Sequence, residues 1–200
     1  MNLRTSIHAS RPGLVTRLAL VPAVFAIMAL AAGSSAQACG GSPRALKSDP
    51  VPVFAANYVK NKLLGKAVAR ARYDRYHTAR LRNKFGKAPI QVVADFNGDG
   101  KRDWAGLVRT RKGVINLVVI YSRGQQYRHA LLQKDVGRSG YNLGVSVHLQ
   151  KPGRIKGFPA ENNPKSVRLV RPGFEFVYFE KSSVVYYWKK RQFAAIWTSD

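Results

Sequence analysis

The stretch Asp95-Phe96-Asn97-Gly98-Asp99-Gly100-Lys101-Arg102-Asp103 constrains this chain more than any other. Three carboxylates and one amide fall on odd-numbered positions, and glycine stands at two places where the chain must turn back. Apolar runs flank it on both sides. Tight turning at Gly98 and Gly100 brings the alternate side-chain oxygens toward one centre, the arrangement that a hard cation takes. The pattern predicts a Ca²⁺ loop in which Asp95, Asn97, Asp99 and Asp103 supply side-chain oxygens and Lys101 supplies its backbone carbonyl. A bare hairpin is the alternative, because Asn97-Gly98 and Asp99-Gly100 are both turn dipeptides. A hairpin has no need of Asp95 and Asp103, whose like charges repel when no cation lies between them.

The loop is not an EF-hand. With Asp95 as the first position, the twelfth is Gly106, where an EF-hand needs a bidentate glutamate. The flanks also read as strands. Residues 93–105 resemble the D-x-N-x-D-G-x-x-D loop of FG-GAP/VCBS-type repeats. The resemblance implies a loop joining two antiparallel strands and holding Ca²⁺ through Asp95, Asn97, Asp99, the Lys101 carbonyl and Asp103. Such repeats build a β-propeller when they occur in series. This chain has one copy, so a full propeller is not implied. The C-terminal run, residues 179–200, is similar to the ends of small bacterial exported proteins that carry one such loop. That similarity brings no activity with it.

The N-terminus reads as an address. Arg4, Arg11 and Arg17 form a positive region, and no acid precedes Asp49. An apolar run over 18–32 follows, then Ala36-Gln37-Ala38, a small-residue cleavage pattern. These are the marks of a secretory signal peptide over 1–38. The run is short for a membrane span, which needs roughly 20 apolar residues. No transmembrane helix is therefore expected in the mature chain. Cys39, the only cysteine, would then head the mature protein. It is a candidate for a lipid anchor, with Gly40-Gly41-Ser42 as tether. A soluble periplasmic or extracellular protein is the competing expectation. Residues 39–58 are expected to be a flexible linker and residues 59–200 a single calcium-binding, β-rich domain.

Charge narrows the partners. The chain carries 34 Lys and Arg against 10 Asp and Glu, a net +24. Without the three arginines of the signal segment the net is +21. Three of the ten acids sit in the loop, which leaves the rest of the surface more one-sided still. Such a field attracts anionic polymers or lipid surfaces of the cell envelope. Nucleic acid is the less favoured polyanion, since export takes the protein away from most of it. A purely solubilising role for the charge is the plain alternative.

The fold class expected is α+β. Residues 60–87 hold ten Lys or Arg and one acid, Asp74, with apolar residues near helical spacing. They predict a basic helical region, broken near Gly65 and ending at Gly86. Short β-type runs follow at 90–94, 104–110, 114–121, 127–132, 145–149, 166–170, 174–179, 184–189 and 193–198. They predict an antiparallel meander of about seven to nine strands. Residues 134–142 read as loop, and the proline-bearing residues 151–164 as an exposed excursion. The run 114–121 is apolar on both faces and should be a central strand. Phe174, Phe176, Tyr178, Tyr186, Trp188, Phe193 and Trp197 read as core aromatics rather than a binding platform.

Catalytic signals are sparse. His77, His129 and His148 show no metal-ligand spacing, and no nucleophile elbow or P-loop is present. No catalytic residue is assigned. The sequence favours an exported, calcium-stabilised, basic binding or structural protein of the envelope. The alternative is a secreted calcium-dependent hydrolase of an anionic polymer, in which Glu175 or Glu180 would have to meet a histidine in a pocket.

Overall fold

A computed structural model describes residues 45–199. The expected signal peptide, Cys39 and the Gly40-Gly41-Ser42 tether lie outside them. The described chain is α+β, with thirteen strands in antiparallel sheets and two helices.

Five strands form the first sheet. β5 (Asp103–Arg109), β6 (Val114–Arg123) and β7 (Gln126–Arg138) run as a meander. The free edge of β5 takes two partners end to end. β4 (Gln91–Ala94) pairs with its first half and β2 (Lys66–Ala67) with its last two residues. β6 is central, as its two apolar faces predict. Leu117 and Val119 face the main core, and Val118 and Ile120 face the opposite side.

The second sheet has four strands in the order β13 (Gln192–Ser199), β12 (Ser183–Lys189), β11 (Gly173–Tyr178) and β8 (Val145–Gln150). Phe174, Phe176, Val184 and Tyr186 from this sheet share one core with Leu107, Leu117 and Val119 of the first. Each buried side chain of this size contributes roughly 1.5–3 kcal/mol through loss of apolar surface to water. On the outer face of the first sheet, α1 (Val53–Lys62) sets Ala55 and Val59 over Trp104 and Ile120. On the outer face of the second, β9 (Gly153–Lys156) and β10 (Ser166–Leu169) form a hairpin whose Leu169 packs on Val185, Tyr187 and Ile196.

Three expectations are corrected. The basic helical region is not one interrupted helix. α1 ends at Lys62, α2 spans Arg75–Phe85, and between them lie β2 and β3 (Arg70–Ala71). The cause is the vacant edge of β5, whose backbone groups need partners. Val68 donates its N–H to the Leu107 carbonyl at 2.9 Å, and this pairing overrides the helical preference of the alanine-rich run. The linker expected over 39–58 carries structure in its described part. β1 (Leu46–Lys47) pairs with β3, and α1 begins at Val53. Finally, β7 continues through most of the expected 134–142 loop. It does so over a register shift, where Asp135 takes φ +52° and gives its N–H to Asn116 Oδ1 at 2.9 Å.

α2 is capped at both ends. Asp74 Oδ1 accepts the His77 N–H at 2.8 Å, and Gly86 closes the helix in the left-handed region. His77 and Leu81 are buried on its inner face, and Arg75, Arg80, Arg82 and Lys84 stay in solvent.

Candidate functional site

The loop joins β4 to β5, with Ala94 opposite Asp103 at the base of the hairpin. Asp95 organises the turn. Its Oδ1 accepts the N–H groups of Gly98 and Asp99 at 2.6 and 3.2 Å, and its Oδ2 accepts that of Gly100 at 2.8 Å. Asn97 Oδ1 accepts the Asp99 N–H at 3.0 Å, and Asp99 Oδ1 accepts the Lys101 N–H at 3.0 Å. Asp95, Asn97 and Asp99 thus each bond the backbone just ahead of them. Gly98 and Gly100 both have φ near +80°, where a Cβ is strained. Gly98 has a second reason to be glycine, because a Cβ there would lie 2.5 Å from the Arg171 guanidinium carbon. Arg171 also donates to the Asn97 carbonyl.

Asp103 behaves differently from the other two aspartates. It is fully buried. Its Oδ2 accepts the N–H of Phe96 at 2.9 Å and of Asn97 at 3.3 Å, and its Oδ1 accepts the N–H of Ser122 at 2.9 Å. Burial pushes the Asp103 carboxyl up to about 6, the three N–H donors pull it down, and the nearby Asp99 charge adds to the rise. The Ser122 hydroxyl stands 2.5 Å from Asp99 Oδ2 and 3.3 Å from Asp103 Oδ1. That hydroxyl is the largest influence holding Asp99 below the usual carboxylate range. Lys101 turns its ammonium away to the Gly124 carbonyl at 2.6 Å, which leaves its own backbone as the part facing the loop.

In kind, these residues fit Ca²⁺. Every donor is an oxygen, and after the bonds above Asp95, Asn97 and Asp99 each keep an unused acceptor direction, while both oxygens of buried Asp103 are already engaged by Phe96, Asn97 and Ser122. The side chains do not close round a common point. Among the described residues no three carboxylate, imidazole or thiol groups stand together as a ligand cluster. The loop as seen is braced by its own N–H groups, by Ser122 and by Arg171. Ser122 and Arg171 are far from the loop in sequence, and no local pattern marks either of them.

A second feature lies between α2 and the second sheet, a cleft of about 750 Å³. It brings His77, His148, Glu175 and Glu180 to one lining, a convergence that sequence spacing does not reveal. His77 Nδ1 is 2.6 Å from Asp74 Oδ2, its ring stacks on Phe179, and its Nε2 is 3.9 Å from Glu180 Oε1. His148 Nε2 is 2.8 Å from Ser146 Oγ, and Glu175 sits opposite His148 in the strand register. Burial lowers the His148 pKa; the Glu175 charge opposes this and Lys84 adds to it. The two histidines mark separate ends of the cleft. His148 packs on Phe85, eight residues along α2 from His77, or about 12 Å of helix.

No family model matches the chain, and no curated protein or solved structure matches it either.

Proposed function

We propose that this is an exported, strongly basic binding or structural protein of the cell envelope that contacts an anionic polymer. The observation that carries the reading is the lack of internal compensation. Among the described residues, Lys87 with Asp49 and Arg138 with Asp135 are the Lys or Arg side chains within 4.0 Å of a carboxylate. The acids are engaged elsewhere: Asp95, Asp99 and Asp103 in the loop, and Asp74 at the head of α2. A surface charge of this size with so few internal partners supports an external counterion. The export pattern over 1–38 makes an envelope polymer the counterion of choice, with Cys39 as a candidate lipid anchor. Elution of the protein from an immobilised polyanion tests the reading. Retention above about 0.15 M salt, where surface charges are screened beyond roughly 8 Å, supports it, and release below that point refutes it.

Ca²⁺ belongs to the same proposal as a structural ion. Asp95, Asn97, Asp99, the Lys101 carbonyl and Asp103 would hold it, in keeping with the resemblance to FG-GAP/VCBS-type loops. Bound there, it supplies charge neutralisation to three carboxylates on one hairpin.

A second reading is a hydrolase of an anionic polymer, and one arrangement favours it. His77 has one ring nitrogen fixed by Asp74 while the other faces the cleft beside Glu180. A carboxylate that fixes one nitrogen leaves the other in a defined protonation state for proton transfer to or from a bound water. His77→Gln must then abolish release of fragments from an acidic polymer. Unchanged release by that variant would exclude His77 as the base.

A further inference from the structure

Two adjoining clefts lie where β2 pairs with the end of β5. One, of about 470 Å³, is lined by Lys60, Lys66, Arg109 and Arg111. The other, of about 510 Å³, shares Lys66, Arg109 and Ser139 with the first and adds Arg70, Arg72 and Arg138. No carboxylate lines either cleft. Five of the seven cations come from α1, β2, β3, β5 and β7, and Arg72 and Arg111 lie just past the ends of β3 and β5, so the fold gathers them from distant parts of the chain. Arg70 and Arg72 alternate with buried Ala71 and Tyr73, which puts both side chains outward from backbone positions about 6.6 Å apart along the extended chain. Two hydroxyls stand among them. Ser139 Oγ accepts from the Arg109 guanidinium at 2.9 Å, and Thr110 Oγ1 is buried in the wall of the first cleft with no hydrogen-bond partner.

We infer that this continuous groove is the polyanion site, and that its ligand is a phosphate-bearing polymer. The inference rests on the binding function proposed above and gives it a place and a ligand class. Five of the seven cations are arginine, whose planar fork matches oxyanions bidentately and sheds water more readily than an ammonium group. A carboxylate has two oxygens in one plane, and a single fork uses both. Along a phosphate chain a charged group recurs at every short linkage, closer together than one carboxylate per sugar, so several clustered forks are engaged at once. An acid-free lining suits the higher charge of a phosphate chain.

The test uses the full chain and long-chain inorganic polyphosphate as the probe, with polygalacturonate as a carboxylate polymer, both at physiological salt. One variant carries Lys60→Gln, Arg70→Gln, Arg72→Gln and Arg111→Gln. A control removes the same charge elsewhere through Lys134→Gln, Lys151→Gln, Lys165→Gln and Lys190→Gln. All eight side chains are exposed, and thermal melting checks that both variants fold. The groove variant is expected to lose at least about tenfold in polyphosphate affinity and the control less than about threefold, since net charge alone acts on both alike. Equal losses in the two charge variants would overturn the groove assignment while leaving the binding function intact. Polygalacturonate bound as tightly as polyphosphate would overturn the phosphate class. A wild-type protein that binds neither polymer would end the binding function itself.

Discussion

Ser122 on β6 gives its backbone N–H to the Oδ1 of Asp103 on β5 at 2.9 Å, and Asp103 is wholly buried at that contact. The bond ties the loop between β4 and β5 to the middle of the first sheet. Asp103 opens β5 opposite Ala94, while its other oxygen holds the loop N–H groups of Phe96 and Asn97. One carboxylate therefore fixes the loop and two strands together.

Asp103→Asn tests that role. The amide brings an N–H₂ group among N–H donors and leaves at least one of them unpaired in a buried place. The expected loss is about 2–4 kcal/mol, in line with breaking buried bonds to a charged group. Urea unfolding measures it, and a change below about 0.5 kcal/mol, the size of an ordinary surface substitution, would contradict it.

Phe96 links the loop to the second sheet. It is fully buried, 5.1 Å from the Phe174 ring and 6.4 Å from that of Phe193. Phe96→Ala is expected to cost about 3–5 kcal/mol, as a large aromatic leaves a cavity between two sheets. A melting temperature unchanged by the substitution would show that the loop does not support the core.

Calcium should act as a stabiliser of the native chain. With Ca²⁺ at a hundred times its dissociation constant, the gain is about 2.7 kcal/mol by mass action. Calorimetry with Ca²⁺ and with EDTA reads it directly. Asp95→Asn together with Asp99→Asn should remove the difference. Identical melting of the wild-type protein in the two conditions would refute the ion.

Half-buried His148 and buried Asp103 give opposite dependences on pH. His148 has a lowered pKa in the folded state, chiefly through burial, so below its ordinary value of about 6.5 the unfolded chain binds the extra proton first. Its contribution to stability therefore falls as pH drops below about 6.5. Asp103 is raised to about 6, so the folded chain holds the extra proton, and its contribution falls as pH rises from about 4 to about 6. His148→Gln should make stability rise less steeply with pH in that range, and Asp103→Asn should make it rise more steeply. Urea unfolding between about pH 4 and pH 7 separates the two, and parallel curves for wild type and His148→Gln would contradict the burial of His148 in its neutral form.

Local chemistry made much of this fold legible. Turn residues and alternation placed β5, β6, β8 and the three C-terminal strands within one or two residues. Gly86 placed the C-terminal end of α2, while its start at Asp74 was not read. Legibility stopped where the deciding partner is distant. The run around Ala67 and Val68 reads as helix by composition and is taken by the edge of β5. The extension of β7 depends on Asn116 receiving Asp135 across a register shift. The hairpin turn over Asn97-Gly98 and Asp99-Gly100 was readable because the turn signal is local. Ser122 and Arg171 were not, because they arrive from another hairpin and another sheet. The same holds for His77 and Glu180, and for the seven cations of the groove, which share a surface only through the topology.

The uncompensated positive charge is the proposed binding surface. The affinity of the full chain for polyphosphate, measured across a series of salt concentrations, tests this most directly. The expected result is saturable binding at about 0.15 M salt with affinity falling linearly on a double-logarithmic plot, the signature of released counterions. Absence of binding at that salt, or an affinity indifferent to salt, would contradict it.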